Sequence, residues 1–330
     1  MTHKRILIMA TGGTIGTRVS DPLCLLDYPD KGERLAAADL IASLPDAIRR
    51  AHQLEPVDVS SLYSPDVGST QWVQWADSIR AAVAEDPQLG GIVITHGTAT
   101  LEETAFALDL LIDVPVPVVV TGAQRPLGAI GADGPGNLSD AIAVTASEQA
   151  KQQGVLVVFN GEIHSARAVT KLSTMQVNGF ASVEAGPLGI LDVQGIHWHA
   201  AALRGLRGRF GRSAMVRFPR VDVAYSHAGA DGTAIDAFAA AGARGIVSAG
   251  VLPGLTTSAE WAALLAARDS SVVVVQSVRG RGSRVADSLR RQQEGVISAG
   301  ALNPQKARIL LMFALAAGLD PAGLRDCFAD

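Results

Sequence analysis

Short runs of consecutive apolar residues alternate along this chain with longer segments whose apolar residues recur at helical spacing. The run Ile92–Thr95 follows two glycines and ends in a glycine turn, which predicts a strand buried on both faces. The segment from Thr100 to Leu111 has helical spacing, and Thr100 with Glu103 has the spacing of a capping box. Thr98 therefore lies between a strand end and a helix start, where open α/β sheets bind their ligands.

The hydroxyl of Thr98 is a candidate nucleophile or proton relay, because the helix dipole favours developing negative charge at this place. The simpler interpretation is that Thr98 and Thr100 only cap the helix, since threonine is a common capping residue. This stretch alone leaves both interpretations open.

A second buried strand, Arg5–Ala10, is followed at once by Thr11-Gly12-Gly13-Thr14-Ile15-Gly16, which places Thr14 on another strand-end glycine turn. A phosphate-binding loop is the alternative, but the segment lacks Gly-Lys-Ser/Thr and the Gly-x-Gly-x-x-Gly spacing. Two such threonines in one sheet indicate two hydroxyls that face one crevice.

The alternation continues to the C-terminus and predicts an α/β fold. A larger N-terminal domain has a mainly parallel, doubly wound sheet, and a smaller C-terminal domain is also α/β. The predicted boundaries are residues 1–197, a linker at 198–219, and residues 220–330. The predicted strands are 56–63, 116–121, 154–159, 221–225, 245–248 and 272–276. The predicted helices are 35–44, 69–85, 137–150, 233–241, 258–267 and a last one from Pro304.

Composition narrows the function classes. The 330 residues are enough for two well-buried domains, and a net charge of −4 gives no overall footprint for nucleic acid or an anionic membrane. Cys24 and Cys327 stand near opposite ends and form no disulfide framework. The apolar run Ile6–Ala10 is too short for a signal peptide. We therefore expect a cytoplasmic protein.

The segment from Ile196 to Arg220 loses regularity and offers two other kinds of site. His197 and His199 suggest a metal, but without a third ligand they make a poor site. A local arginine run suggests nucleic-acid binding, although no RNA-binding motif accompanies it, and a solvated linker is the simpler account. Its members are Arg204, Arg207, Arg209, Arg212, Arg217 and Arg220.

The two glycine turns together carry a family resemblance. Thr11–Ile15 reads Thr-Gly-Gly-Thr-Ile, and His96–Thr100 reads His-Gly-Thr-Ala-Thr. The chain resembles the bacterial-type, type II-like L-asparaginases and glutaminase-asparaginases, whose signatures are Thr-Gly-Gly-Thr-Ile and His-Gly-Thr-Asp-Thr. The likeness runs nearly end to end and includes Ala132–Leu138, expected as support behind the site, Val169–Lys171 and Ala301–Arg308.

The resemblance implies hydrolysis of a carboxamide through a threonyl acyl-enzyme. Thr14 would be the attacking hydroxyl, with Tyr28 of a lid loop beside it. Thr98 and Lys171 would activate water or relay a proton, and backbone N–H groups around Gly97 would stabilise an oxyanion, with Gly13 lining the same place. No metal or organic cofactor is needed. The family works as a homotetramer of intimate dimers, in which a neighbour's C-terminal domain completes each site.

This chain departs from the family where the substrate's α-ammonium is held. Ala99 replaces the aspartate and Pro65 the glutamine, whereas Ser64, which would hold the α-carboxylate, is kept. In the neighbour's domain Pro253 stands for an asparagine. The neighbour's glutamate falls in a segment that here carries Arg279, Arg281 and Arg284.

Loss of these acids predicts a small-molecule amide, lactam or related substrate without an α-amino group, because an unpaired buried ammonium is costly. Genuine L-asparaginase activity remains an alternative if an acid such as Asp287 is repositioned. A catalytically silent binding protein is another, although retention of Thr14, Thr98 and Lys171 argues against it.

Overall fold

A computed structural model describes residues 3–211 and 218–329 of the chain. The chain divides into two compact units, the first ending at Arg207 and the second beginning at Gly208. The division falls inside the predicted linker. Arg212 and Arg217 of the arginine run lie outside the described residues.

The first unit is built on an eight-stranded sheet in the described part of the chain, with the strand order β12-β11-β8-β7-β6-β5-β1-β4. These strands are β1 (Arg5–Ala10), β4 (Gln53–Asp58), β5 (Gly91–Thr95), β6 (Val118–Thr121), β7 (Val155–Phe159), β8 (Glu162–Ser165), β11 (Gly189–Asp192) and β12 (Gly195–Trp198). The two-stranded ribbons are β2 (Thr17–Arg18) with β3 (Glu33–Arg34) and β9 (Thr170–Lys171) with β10 (Phe180–Ala181). The helices are α1 (Tyr28–Lys31), α2 (Ala37–Ala42), α3 (Asp46–Ala51), α4 (Ser69–Glu85), α5 (Leu101–Leu111) and α6 (Gly134–Ala146).

The sheet topology decides where a ligand can bind. Strands β4, β1, β5, β6 and β7 are parallel, and β8, β11 and β12 extend the sheet antiparallel. From β1 the chain first crosses to β4 on one side and then returns to β5 on the other. The strand order thus reverses between β1 and β5, and such a reversal opens a crevice at the carboxyl ends of the strands. The loops that carry Thr14 and Thr98 leave the sheet at this place.

Apolar residues on both faces of the sheet explain its uninterrupted hydrophobic strands. Ile6, Ile8 and Val93 pack with α2 and α6 in one core cluster. The side chains that alternate with these along the strands lie on the other face of the sheet, and they are also fully buried, as Ile92 and Ile94 show. The predicted doubly wound, mainly parallel sheet is confirmed.

Several predicted boundaries are wrong. The strand expected at 56–63 is β4, Gln53–Asp58, because the chain pairs with β1 from Arg5 onward and leaves the sheet after Asp58. The helix expected at 35–44 is shorter, Ala37–Ala42, and Pro45 is the N-cap residue of another helix, α3, which begins at Asp46. The segment expected to be irregular from Ile196 includes β12, which pairs with β11.

The second unit has a four-stranded parallel sheet in the order β13-β14-β15-β16. Its elements are β13 (Val221–Tyr225), α7 (Thr233–Ala240), β14 (Gly245–Gly250), α8 (Ser258–Asp269), β15 (Val273–Val278), α9 (Leu289–Gln293), β16 (Ile297–Ser298), α10 (Pro304–Ala316) and α11 (Pro321–Phe328). The helix from Pro304 is therefore not the last one, since α11 follows it. Among the described residues no helix is long and apolar enough to span a membrane.

Candidate active site

Three strand-end loops meet at glycines. A Cβ on Gly13 would overlap the backbone of Gly97, and a Cβ on Gly97 would lie 2.6 Å from Oγ of Ser64. Gly13 also has a φ of 86°, which L side chains rarely adopt. The loops after β1, β4 and β5 can therefore pack together only because two of the contacting residues have no side chain.

Thr14 and Tyr28 are hydrogen-bonded within this site. Thr14 is buried at the start of a short 3₁₀ turn, and its Oγ1 lies 2.7 Å from the hydroxyl of Tyr28. Tyr28 is the first residue of α1, and the chain on either side of α1 is joined by the ribbon of β2 and β3. The loop expected to cover the crevice thus places its tyrosine on the predicted threonine.

Thr98 and Lys171 form the second contact of the site. Nζ of Lys171 donates to Oγ1 of Thr98 at 2.6 Å, and Thr98 is buried. Lys171 lies on ribbon β9–β10, and its Nζ is 6.0 Å from the ring centroid of Phe180. Burial lowers the pKa of Lys171, and the negative charge of Glu102 on α5 partly opposes this effect.

Sequence reasoning missed Gln124, which also contacts Thr98. Thr98 donates from Oγ1 to Oε1 of Gln124 at 3.2 Å, and Nε2 of Gln124 donates to the carbonyl of Ser173 at 3.1 Å. The carboxylate of Asp133 accepts the backbone N–H of Gln124. The signal was present, since Gln124 follows the end of β6 and a glycine, Gly122, but nothing local indicated which way its side chain faces.

The predicted capping box at Thr100 is wrong. Thr100 is the N-cap residue of α5, but its hydroxyl caps no helix N–H and donates instead to the carbonyl of Ser64 at 2.7 Å. The capping hydrogen bond does not form, because the loop after β4 brings the Ser64 carbonyl within reach of the Thr100 hydroxyl. The hydroxyl therefore ties two site loops together.

A buried chain of hydrogen bonds also reaches the turn that precedes Thr98. Nε1 of Trp72 donates to Oγ1 of Thr104 at 3.0 Å, and Oγ1 of Thr104 lies 3.0 Å from Nε2 of His96. Nδ1 of His96 lies 2.8 Å from the carbonyl oxygen of Gly97.

Burial lowers the pKa of His96 to about 4, so the ring is neutral at pH 7. A carbonyl oxygen can only accept, so Nδ1 carries the proton and Nε2 accepts from Thr104. His96 thus fixes the peptide group between Gly97 and Thr98, and sequence reasoning had given it no role.

The substituted positions are on the surface of the described chain. Ala99 and Pro65 are exposed beside buried Thr98 and Ser64. Asp66, next to Pro65, is exposed as well.

In the second unit Pro253 is exposed, together with three arginines: Arg279, Arg281 and Arg284. Nη1 of Arg279 donates to the carbonyl of Ser226 at 3.0 Å, and its guanidinium lies 5.7 Å from the ring centroid of Tyr225. Asp287 is exposed and accepts from Gln292 at 2.8 Å.

The two other kinds of site considered from the sequence gain no support. Nε2 of His197 lies 3.0 Å from Oδ1 of Asp192. Across residues 3–211 and 218–329, no group of three or more His, Cys, Asp or Glu residues could hold a metal ion. Arg207, one member of the arginine run, donates a hydrogen bond from Nη1 to the carbonyl of Gln152.

Comparison with known proteins covers both units. Residues 5–204 match the family described as Asparaginase, N-terminal, and residues 220–328 match the Glutaminase/Asparaginase C-terminal domain. A protein of Haemophilus influenzae named Probable L-asparaginase periplasmic is 35% identical, over 98% of this chain and 92% of its own. L-asparaginase 2 of Escherichia coli is 34% identical over the same shares of the two chains.

A solved structure gives the same result. The crystal structure of a probable cytoplasmic L-asparaginase from Campylobacter jejuni is 34% identical and superposes with a TM-score of 0.93, covering 98% of this chain and 99% of that one. The Haemophilus protein is called periplasmic and the Campylobacter protein cytoplasmic, so these two relatives indicate no common compartment.

Proposed function

This chain belongs to the asparaginase family of amidohydrolases, and we propose that it hydrolyses a carboxamide through a threonyl acyl-enzyme on a substrate without an α-amino group. The observation that carries the proposal is the pair of hydroxyl contacts at the reversal of strand order. Thr14 meets Tyr28 at 2.7 Å, and Thr98 meets Lys171 at 2.6 Å.

In the proposed reaction, Oγ1 of Thr14 attacks the carboxamide carbon. The oxyanion receives hydrogen bonds from backbone N–H groups around Gly97 and Thr98, whose shared peptide is held by His96. As the C–N bond breaks, the proton of the Thr14 hydroxyl passes to the leaving nitrogen, and ammonia departs. Water then attacks the Thr14 ester, and one of its protons passes through Thr98 to the neutral amine of Lys171. As the ester C–O bond breaks, the proton held by Lys171 returns to Oγ1 of Thr14, so that the carboxylic acid leaves and both side chains are restored.

The surroundings of Thr98 support a substrate that lacks an ammonium group. Ala99 has no charge, and Pro65 offers neither a side-chain acceptor nor an N–H. Ser64 is buried at Gly97 and is suited to hold a substrate carboxylate.

We further propose that the protein is a homotetramer of intimate dimers. In it, a neighbour's second unit would bring Pro253 with Arg279, Arg281 and Arg284 to the site. These arginines would attract a carboxylate and repel an ammonium.

L-asparagine hydrolysis is the second candidate, and it is favoured by the names of the relatives, which are called L-asparaginases. The substrates that distinguish the two candidate activities differ in one substituent. Succinamate has the same carboxylate and the same carboxamide as L-asparagine but no amino group.

Ammonia release from succinamate and L-asparagine tests the proposal. We expect kcat/KM to be at least about tenfold higher for succinamate, because an unpaired ammonium near a partly buried site costs more than 1.4 kcal/mol. Thr14→Ala and Thr98→Val should each lower kcat at least about 1000-fold, whereas Thr70→Val, on the exposed surface of α4, should leave it unchanged. A higher kcat/KM for L-asparagine would establish the second candidate instead.

A further inference from the structure

Gln124 fixes the direction in which the Thr98 hydroxyl donates. The carbonyl of Ser173 can only accept, so the nitrogen of the Gln124 carboxamide faces Ser173 and its oxygen faces Thr98. An amide oxygen is also only an acceptor. The Thr98 proton is therefore directed at Gln124, and the remaining lone pairs of Oγ1 face Lys171.

The carboxamide is held in this orientation from several sides. Gln124 is buried, and its backbone N–H donates to both oxygens of Asp133, at 3.1 and 2.9 Å. Gly179, beside β10, leaves the space that the amide fills, since a Cβ there would overlap Nε2 of Gln124. A turned or shifted carboxamide would collide with its surroundings or lose its bond to Ser173.

This arrangement determines which form of Lys171 fits the site. An ammonium donates well to a hydroxyl oxygen, and such a charge-assisted bond is stronger than a neutral one. A neutral amine acts as a base only if a hydroxyl donates to it, and Thr98 can do so only after it gives up its bond to Gln124. We propose that Gln124 is a positioning residue that stabilises the ammonium form of Lys171 through Thr98 and so gates proton transfer to the lysine.

The groups around Lys171 allow this effect to be isolated. Thr98 comes from the loop after β5, Phe180 from the paired strand β10, and Glu102 from α5, which contributes the negative charge that acts on Lys171. Gln124 is uncharged and 3.2 Å from the Thr98 hydroxyl. Its removal therefore changes a hydrogen bond and leaves the charge of the site as it was.

Competitive acetylation measures the proposed effect without any turnover. The rate at which acetic anhydride labels Lys171 is followed from pH 6 to pH 11 by mass spectrometry of its peptide. Exposed Lys151 in the same molecules serves as the internal reference. Gln124→Met should lower the pKa of Lys171 by about half to one unit, the equivalent of one ordinary hydrogen bond.

Three further variants separate this role from damage to the fold. Gly179→Ala displaces the carboxamide and should shift the Lys171 curve in the same direction. Gln176→Met replaces an exposed glutamine in the same loop as Gly179 and should leave the Lys171 curve unchanged. In a Thr98→Val background Gln124→Met should have no effect, because the effect passes through Thr98.

An unchanged or raised Lys171 pKa in Gln124→Met, or the same shift with and without Thr98, would overturn the proposal. The inference rests on the proposed function only for the consequence that the gate serves hydrolysis. Absence of amide turnover would reject the proposed function, whereas the labelling result stands or falls separately. If both hold, the rising limb of the pH–kcat profile moves down with the Lys171 curve in Gln124→Met.

Discussion

Gly13 and Gly97 lie against each other across the two loops that carry Thr14 and Thr98, at a distance that leaves no room for a Cβ. Each threonine is the residue directly after one of these glycines. The separation of the two hydroxyls is therefore set by a backbone contact.

Gly13→Ala should disable the site. The new methyl group would push the two loops apart, and the backbone of residue 13, with a φ of 86°, would be strained. We expect kcat/KM for the amide substrate to fall about 100-fold or more, since displacements near 1 Å have such effects. Gly136→Ala is the control, because Gly136 is in α6 with nothing within 4 Å of an added Cβ. A Gly13→Ala enzyme within threefold of wild type would contradict this account.

His96 should make the fold sensitive to acid. Its pKa is near 6.5 when unfolded and about 4 when buried in the fold, so the unfolded chain binds the proton first. The stabilisation is fully present above pH 6.5 and is lost progressively as the pH falls towards 4. Between pH 7.5 and pH 5, the free energy of unfolding should therefore fall by about 2 kcal/mol less in His96→Gln than in the wild type.

Urea unfolding at the two pH values measures this difference. His227→Gln, which replaces an exposed histidine, should show the wild-type loss. An equal loss in wild type and in His96→Gln would show that His96 titrates alike in the folded and unfolded chains.

Ala99→Asp should move the rising limb of the pH–kcat profile to higher pH. A carboxylate next to Thr98 would favour the ammonium form of Lys171, so that the neutral base appears only at a higher pH, by about one unit. Ala99→Asn has the same shape without the charge and should leave the limb in place. Equal profiles for the two variants would mean that Lys171 is not the titrating base, or that residue 99 does not act on it.

The positions of Thr14 and Thr98 could be predicted because both depend on short-range signals. An uninterrupted apolar run predicts a buried strand, and the glycines after it predict a turn that displays the next hydroxyl. The same local reasoning was wrong for Thr100, because the hydroxyl found an acceptor, Ser64, that is 36 residues away in sequence. The spacing of a capping box considers only hydrogen bonds within the first turn of the helix and takes no account of acceptors elsewhere in the fold.

Gln124 and His96 could not be predicted, because their partners are set by tertiary structure. Gln124 joins Thr98, in the loop after β5, to Ser173, in the loop between β9 and β10. Lys171 was identified only through the resemblance to a family. No periodicity in its own segment indicates that a two-residue strand will deliver it to Thr98.

The ribbon that carries Lys171 has a consequence for how the site is maintained. Two residue pairs, Phe180 with Lys171 and Ala181 with Thr170, hold β9 to β10, whereas β5 before Thr98 is paired on both sides. A ribbon held by two residue pairs opens at a lower free energy than the centre of a sheet. The amine and the hydroxyl it contacts thus belong to segments of unequal local stability. Substitutions in the ribbon can therefore change the pKa of the amine, or remove it, while the core of the sheet that carries the hydroxyl stays folded.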